Sequence, residues 1–310
     1  MLIRMTIDSM ANLSIPHPIP YQGSKRKLCP TIAAYMLSPV DTLYEPFAGS
    51  AAFSLYAAKH NLAKHFVIGD TLEPLIALWK LVVTHPDQVA RHYEQIWRGQ
   101  HEDNPDYYDQ VRDDYNQSGD PVLLLYLIAR CVKNAVRFNR QGKFTQSRDK
   151  RRLGMHPKKL REAVHGASEL LFGRVEFFVG DFELCVNSAT ADDLVYLDPP
   201  YQGTTYGRDK RYFEQLAVER LHQVLADLNG REVPFLLSYD GLHGEKAYGT
   251  VLPENLVVQR RLLNAGRSSQ ATLNGKAVIT YESLYLSSHF HTSVTPLPVQ
   301  QNPTQLLLGI

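Results

Sequence analysis

Apolar positions near both ends of the chain fall into short runs of strand length, alternating with helix-length stretches; the middle of the chain has helical spacing only. Residues 42–47 read as a strand that runs into a small-residue turn, Ala48-Gly49-Ser50, and then a helix from Ala51 to about His60. The next strand, 66–68, ends at Gly69-Asp70, and a helix follows from Leu72 to Val83. Strand, tight turn, helix, strand is the spacing of a β-α-β unit and predicts the first half of a parallel nucleotide-binding sheet. Alternation resumes at 175–179, 194–197 and 234–238, with a helix at about 213–228. Two further strands are expected at 256–262 and 277–286. The polar, turn-forming stretch between them, Asn264 to Lys276, suggests an antiparallel hairpin. The expected fold is α/β: a mostly parallel sheet formed by 15–84 and 173–290, with an antiparallel C-terminal hairpin. A mainly helical insert occupies 85–172, containing an acidic, tyrosine-bearing stretch at 102–120 and an apolar helix at 121–136. Residues 291–310, rich in proline, read as a loosely held tail.

Charge changes this picture more than composition does. The chain of 310 residues is 44% hydrophobic and 21% charged with a net charge of +1, the balance of an ordinary soluble protein. It has no apolar run long enough to cross a bilayer and no apolar stretch of signal-peptide type at the start. Three widely spaced cysteines, Cys29, Cys131 and Cys185, fit neither a disulfide framework nor a metal cluster. Reduced thiols, no metal, no membrane and a cytoplasmic location are therefore expected. Between Arg130 and Arg161, however, twelve Lys and Arg face one acid, Asp149, so that window carries +11 and the rest of the chain −10. A solvated helix face normally mixes signs; a block of one sign points to a polyanion such as a phosphate backbone.

Three strings carry candidate chemistry. Asp198-Pro199-Pro200-Tyr201 directly follows the apolar strand 194–197, at the strand end where open α/β sheets bind ligands. The prolines stiffen the backbone and remove two N–H donors, leaving a carboxylate, carbonyl oxygens and an aromatic face. Such a set can accept both N–H bonds of an aromatic amine and localise its lone pair; it can equally be a rigid turn. Tyr44 to Ala51 (YEPFAGSA) is a strand ending in a turn that lets a ligand approach the backbone, without the G-x-G-x-x-G signature of dinucleotide enzymes. Asp70, closing the next strand, suits either ribose hydroxyls or a helix cap. Tyr21 to Lys27 (YQGSKRK) offers Lys25 after a glycine turn, or simply a solvated basic loop.

Together these strings, in this order, resemble the Dam-type DNA adenine (N6) methyltransferases, whose target-recognition insert precedes the catalytic motif. The resemblance runs from about Ile19 to Ser287 and rests on PYQGSK (20–25), YEPFAGSAAF (44–53), IGD (68–70), RFNRQGKF (137–144), VGDF (179–182), DPPY (198–201) and LLSYDG (236–241). It implies a Rossmann-like methyltransferase fold, S-adenosylmethionine as cofactor and N6-adenine methylation after base flipping. The implied partner is double-stranded DNA; a cognate restriction system and a monomeric or dimeric protein are compatible with it. It assigns Asp198, the Pro199 carbonyl and Tyr201 to the target base. Tyr21, Lys25, Phe47, Gly49, Asp70, Asp181 and Phe182 fall to the cofactor, and Arg137, Asn139, Arg140, Lys143, Arg151, Arg152 and Lys158 to DNA, with Arg267, Ser268 and Gln270 as further candidates. One departure stands out: Ala51 replaces a second glycine of the loop, which is strained if that position needs a positive φ. N4-cytosine or RNA methylation, and a catalytically silent DNA-binding protein, remain as alternatives.

Overall fold

The computed structural model describes residues 15–100, 104–200, 218–243, 246–248, 252–253, 256, 259–267 and 279–290. Five parallel strands run in the order β3 (Val175–Val179), β2 (Ala63–Asp70), β1 (Val40–Glu45), β4 (Leu194–Leu197), β5 (Phe235–His243). Two antiparallel strands, β8 (Ile279–Leu286) and β7 (Gln259–Arg267), extend the sheet beyond β5, and the short β6 (Lys246–Tyr248) also pairs with β5. The order reverses direction between β1 and β4, which makes their carboxyl ends the topological switch point where such sheets bind ligands. The mostly parallel sheet with an antiparallel end is the fold expected from the sequence.

All four residues of β4 are buried, as a central parallel strand covered on both faces requires. Helix α2 (Ala52–Lys59) buries seven of its eight residues because it lies between the sheet and further helices. Before it come the short α1 (Cys29–Ala33), then after it α3 (Glu73–Thr84). The middle segment forms α4 (Pro86–Gly99), α5 (Tyr107–Ser118), α6 (Pro121–Arg130) and α7 (Pro157–Leu171). Helix α4 buries only one stripe, Val89, Ala90, Tyr93 and Ile96, whereas α6 is apolar nearly all round and sits at the centre of the bundle. These helices share one continuous apolar core with α2 and α3. On the other face of the sheet lie α8 (Phe182–Cys185) and α9 (Val218–Gly230).

Two expected elements change. The apolar helix expected at 121–136 stops at Arg130: Asn134 donates through Nδ2 to the Ile128 carbonyl at 2.9 Å, and Lys133 and Asn134 take φ of 60° and 53°, which an α-helix cannot accommodate. The expected linker at Asn264 begins inside β7 instead. Asn264 accepts the Gly266 N–H at 2.8 Å where the β7–β8 register shifts, so polar residues that signal a turn here make a bulge in a longer strand. Residues 268–278 and the expected tail, 291–310, lie outside the described residues.

Candidate active site at the switch point of the sheet

The turn after β1 is held from below by an acid to which the sequence reading gives no role. Glu45, buried at the end of β1, accepts the Ser54 N–H at 2.8 Å and the Ser54 hydroxyl at 2.5 Å, fastening the first turn of α2 to the sheet. Burial pushes its carboxyl up to about 7, although the Ser54 bonds favour the charged form. At the tip, Gly49 has φ of +48° and its peptide is clamped at both ends. Its N–H donates to Asp70 Oδ2 at 3.2 Å, and its carbonyl accepts Trp79 Nε1–H at 3.0 Å. The Tyr21 ring covers it so closely that a Cβ there would lie 3.2 Å from ring carbon Cδ1. Ala51, two residues on, also takes a positive φ of 44°; the strained case foreseen for this departure is the one that occurs.

Asp70 closes β2 facing this turn, its other oxygen accepting the Leu72 N–H at 3.0 Å; burial raises its carboxyl pKa while these N–H bonds oppose the rise. Beside it, the Phe47 and Phe182 rings lie 5.1 Å apart and make one apolar wall. Asp181 caps α8 by accepting the Glu183 N–H at 3.0 Å, and with Glu183 it pairs with Arg220 of α9, each at 2.9 Å. Arg220 stands over the Phe182 ring at 5.7 Å. The ends of β1 and β2 thus bring together a glycine turn under an aromatic ring, two carboxylates and an aromatic pair.

At the end of β4, Asp198 keeps 18% of its side chain exposed and pairs through Oδ1 with Lys25 Nζ at 3.0 Å. The resemblance assigns Lys25 to the cofactor; its side chain, 6% exposed, sets the ammonium between Asp198 and Glu282 of β8, whose Oε2 is 3.2 Å away. Burial alone would push the Lys25 pKa down, but the two carboxylates win and raise it, so the side chain stays charged. Beneath it Tyr196 of β4 shares a hydrogen bond of 3.1 Å with Ser238 of β5. Glu282 is absent from the sequence-based set. The available signal was its place on β8, in step with Leu284 and Leu286 on a buried face, where an acid needs a partner.

Segment 21–25 joins these parts. Tyr21 covers Gly49, the Ser24 hydroxyl oxygen accepts from Ser50 Oγ at 2.7 Å, and Lys25 reaches Asp198. The Gln22 N–H also donates to the Asn134 carbonyl at 3.1 Å, tying the segment to the chain that leads into 137–144. Two loops distant in sequence are therefore gathered by one short stretch at the switch point. Tyr201 lies outside the described residues.

The sequence pattern of the family described as D12 class N6 adenine-specific DNA methyltransferase matches residues 21–264. The chain belongs to this family. It is 26% identical over 246 residues to the type II methyltransferase M.FokI of Planomicrobium okeanokoites, covering 76% of this chain and 38% of that one. It is 25% identical over 169 residues to the type II methyltransferase M.MjaIII of Methanocaldococcus jannaschii, covering 51% and 57%. To the DNA adenine methylase of Haemophilus influenzae it is 25% identical over 186 residues, covering 58% and 62%. The chain thus spans less than two thirds of the length of each of these relatives.

In this family member the basic block splits into buried and exposed cations. Arg130 is buried; its Nη1 donates to the Asp149 carbonyl at 2.6 Å and to that of Arg152, and its Nε to Gln100 at 2.8 Å. Asp149, the block's one acid, accepts from the backbone and side chain of Arg151 and from Arg152 Nε at 3.0 Å, which hold its carboxyl down at about 2. Residues 138–144 form a small hairpin whose Phe138 and Phe144 rings pack on Tyr115. Asn139 is the turn-maker, accepting the N–H groups of Gln141 and Lys143 through Oδ1, each at 2.9 Å. Arg137 is half-buried, while Arg140, Lys143, Arg151, Arg152 and Lys158 are exposed. The side chains of Arg267, Ser268 and Gln270 lie outside the described residues, and no helix among the described residues is long and apolar enough to cross a membrane.

Proposed function

We propose that the protein transfers a methyl group from S-adenosylmethionine to N6 of an adenine in double-stranded DNA, after the base leaves the helix. The observation that carries this reading is the juxtaposition of Asp198 with the Gly49 turn, both bound by segment 21–25 across the switch point. The crevice fits the cofactor. A Cβ at Gly49 would crowd the Tyr21 ring; Phe47 and Phe182 offer aromatic faces, Asp70 a carboxylate suited to ribose hydroxyls, and Asp181 a further acceptor. When bound, S-adenosylmethionine supplies an electrophilic sulfonium methyl group.

The amino group of adenine is a weak nucleophile because its lone pair is spread into the ring. Asp198 accepts one N–H and the Pro199 carbonyl the other, which draws the nitrogen towards tetrahedral geometry and localises the pair. Lys25 keeps the Asp198 carboxylate charged and aimed. Tyr201 stacks on the extruded base, and unstacking that base costs a few kcal/mol. The 85–172 insert provides target recognition. Arg140, Lys143, Arg151, Arg152 and Lys158 face phosphates, with Arg137 and Asn139 alongside them at the hairpin that carries Arg140 and Lys143. The type II methyltransferase names of two relatives support a place in a restriction–modification system in the cytoplasm.

Incubation with methyl-labelled S-adenosylmethionine and unmethylated plasmid DNA, followed by digestion to nucleosides, tests the reading. Label in N6-methyldeoxyadenosine is expected. Label in N4-methyldeoxycytidine, or none, contradicts it.

A further inference from the structure

We propose that Glu282 is a positioning residue for Asp198, acting through the Lys25 ammonium that the two carboxylates share. The three side chains come from far apart in sequence. Lys25 precedes α1, Asp198 ends β4 and Glu282 lies on β8, opposite Gly241 of β5. Lys25 Nζ lies 3.0 Å from Asp198 and 3.2 Å from Glu282, and all three side chains are 18% exposed or less.

One carboxylate neutralises one ammonium. The second divides the pull on that ammonium between two partly buried carboxylates, at the cost of desolvating a further charge. Its effect on Asp198 is specific. With Glu282 present the ammonium is pulled from two sides, and Asp198 yields only part of its acceptor strength to it. Without Glu282 the ammonium, which also donates to the Gly23 carbonyl at 3.4 Å, leans further towards Asp198 and competes with the amine N–H for that carboxylate. Among the described residues, titratable groups facing the cluster include Tyr196 on β4, Cys29 on α1 and Glu45 on β1, all buried.

This role depends on the methyl transfer proposed above, and one assay separates the two. Wild-type protein, Glu282→Gln and Glu282→Asp are compared on unmethylated plasmid DNA with labelled S-adenosylmethionine across a pH series. Cofactor affinity and melting temperature are measured in parallel. For Glu282→Gln, kcat is expected to fall at least tenfold, with KM for DNA and the cofactor Kd within twofold. Loss of a negative charge beside Asp198 should also move the acid limb of kcat to lower pH. Glu282→Asp should recover part but not all of kcat, with the wild-type limb; if Glu282→Gln does not fold, Glu282→Asp carries the test, and a kcat equal to that of the wild type overturns the role. An unchanged kcat and limb, or a loss of rate that tracks weakened cofactor binding and a lowered melting temperature, overturns the role of Glu282. Absence of adenine methylation by the wild type overturns the underlying reading instead.

Discussion

Lys25 Nζ lies 3.0 Å from Asp198 Oδ1, and this pair joins the first motif of the chain to the Asp198-Pro199-Pro200-Tyr201 string across 173 residues. The ammonium is buried, so removing it takes from both carboxylates a cation that they share. Lys25→Met is expected to lower stability by about 3 kcal/mol, the low end for breaking a buried pair because both acids keep some exposure. Denaturant unfolding measures this, and a loss below about 1 kcal/mol is the surface-pair value that would show the cation to be dispensable.

Ala51 holds φ of +44° where a side chain is strained. Relief of about 1–2 kcal/mol of left-handed strain in Ala51→Gly is partly offset by the loss of a buried methyl worth about 0.8 kcal/mol. A net gain of up to about 1 kcal/mol is expected, with cofactor affinity no weaker than in the wild type. Thermal unfolding and equilibrium dialysis with labelled S-adenosylmethionine read both; a destabilised Ala51→Gly would show that the turn tolerates alanine without strain.

Glu45 gives the stability a pH signature. Its carboxyl is raised by burial from 4.5 to about 7, so between those values the folded protein binds the extra proton. Its contribution is therefore most favourable below pH 4.5, declines as pH rises towards 7 and is constant above. Glu45→Gln, which keeps an acceptor for Ser54, should remove that decline. Melting curves at pH 5 and 8 test it, and an unaltered pH slope would contradict the assignment.

The basic block separates into two kinds of arginine. Replacing the exposed Arg151, Arg152 and Lys158 together should flatten the salt dependence of DNA binding by a slope of about 2–3, with some loss of stability because Arg151 and Arg152 also pair with Asp149. Arg130→Ala should instead unfold the segment around Asp149, because three of its hydrogen bonds are internal. Its stability loss is expected at about 2–4 kcal/mol. Salt titrations of DNA binding, set beside melting curves, distinguish them; an unchanged slope in the triple variant would mean that these cations face away from DNA.

What was legible in the sequence is mostly local. The runs 42–47, 66–68 and 194–197 carry enough apolar character to declare buried strands, and the turns that follow them place Gly49, Asp70 and Asp198 at one edge of the sheet. Partners that depend on tertiary contact were not legible. Nothing near Lys25 in the chain announces Asp198, still less Glu282 on a strand that pairs antiparallel at the far side of β5. Asn139 has the composition of a DNA contact, but its carbonyl oxygen is committed to two backbone N–H groups of its own turn. Helix α6 ends at Arg130 because of a side-chain bond from Asn134 and two left-handed residues, which no apolar periodicity reveals. Glu45 stands within a motif read for its glycine, while its own work lies under the turn.

The proposed methyl transfer requires Asp198 to grip an adenine amine in line with a bound sulfonium. Single-turnover methyl transfer by Asp198→Ala, measured with saturating labelled S-adenosylmethionine on unmethylated plasmid DNA, tests this most directly. A rate at least about 100-fold below wild type, with cofactor binding within a few-fold, is the predicted result. Transfer at the wild-type rate would contradict it.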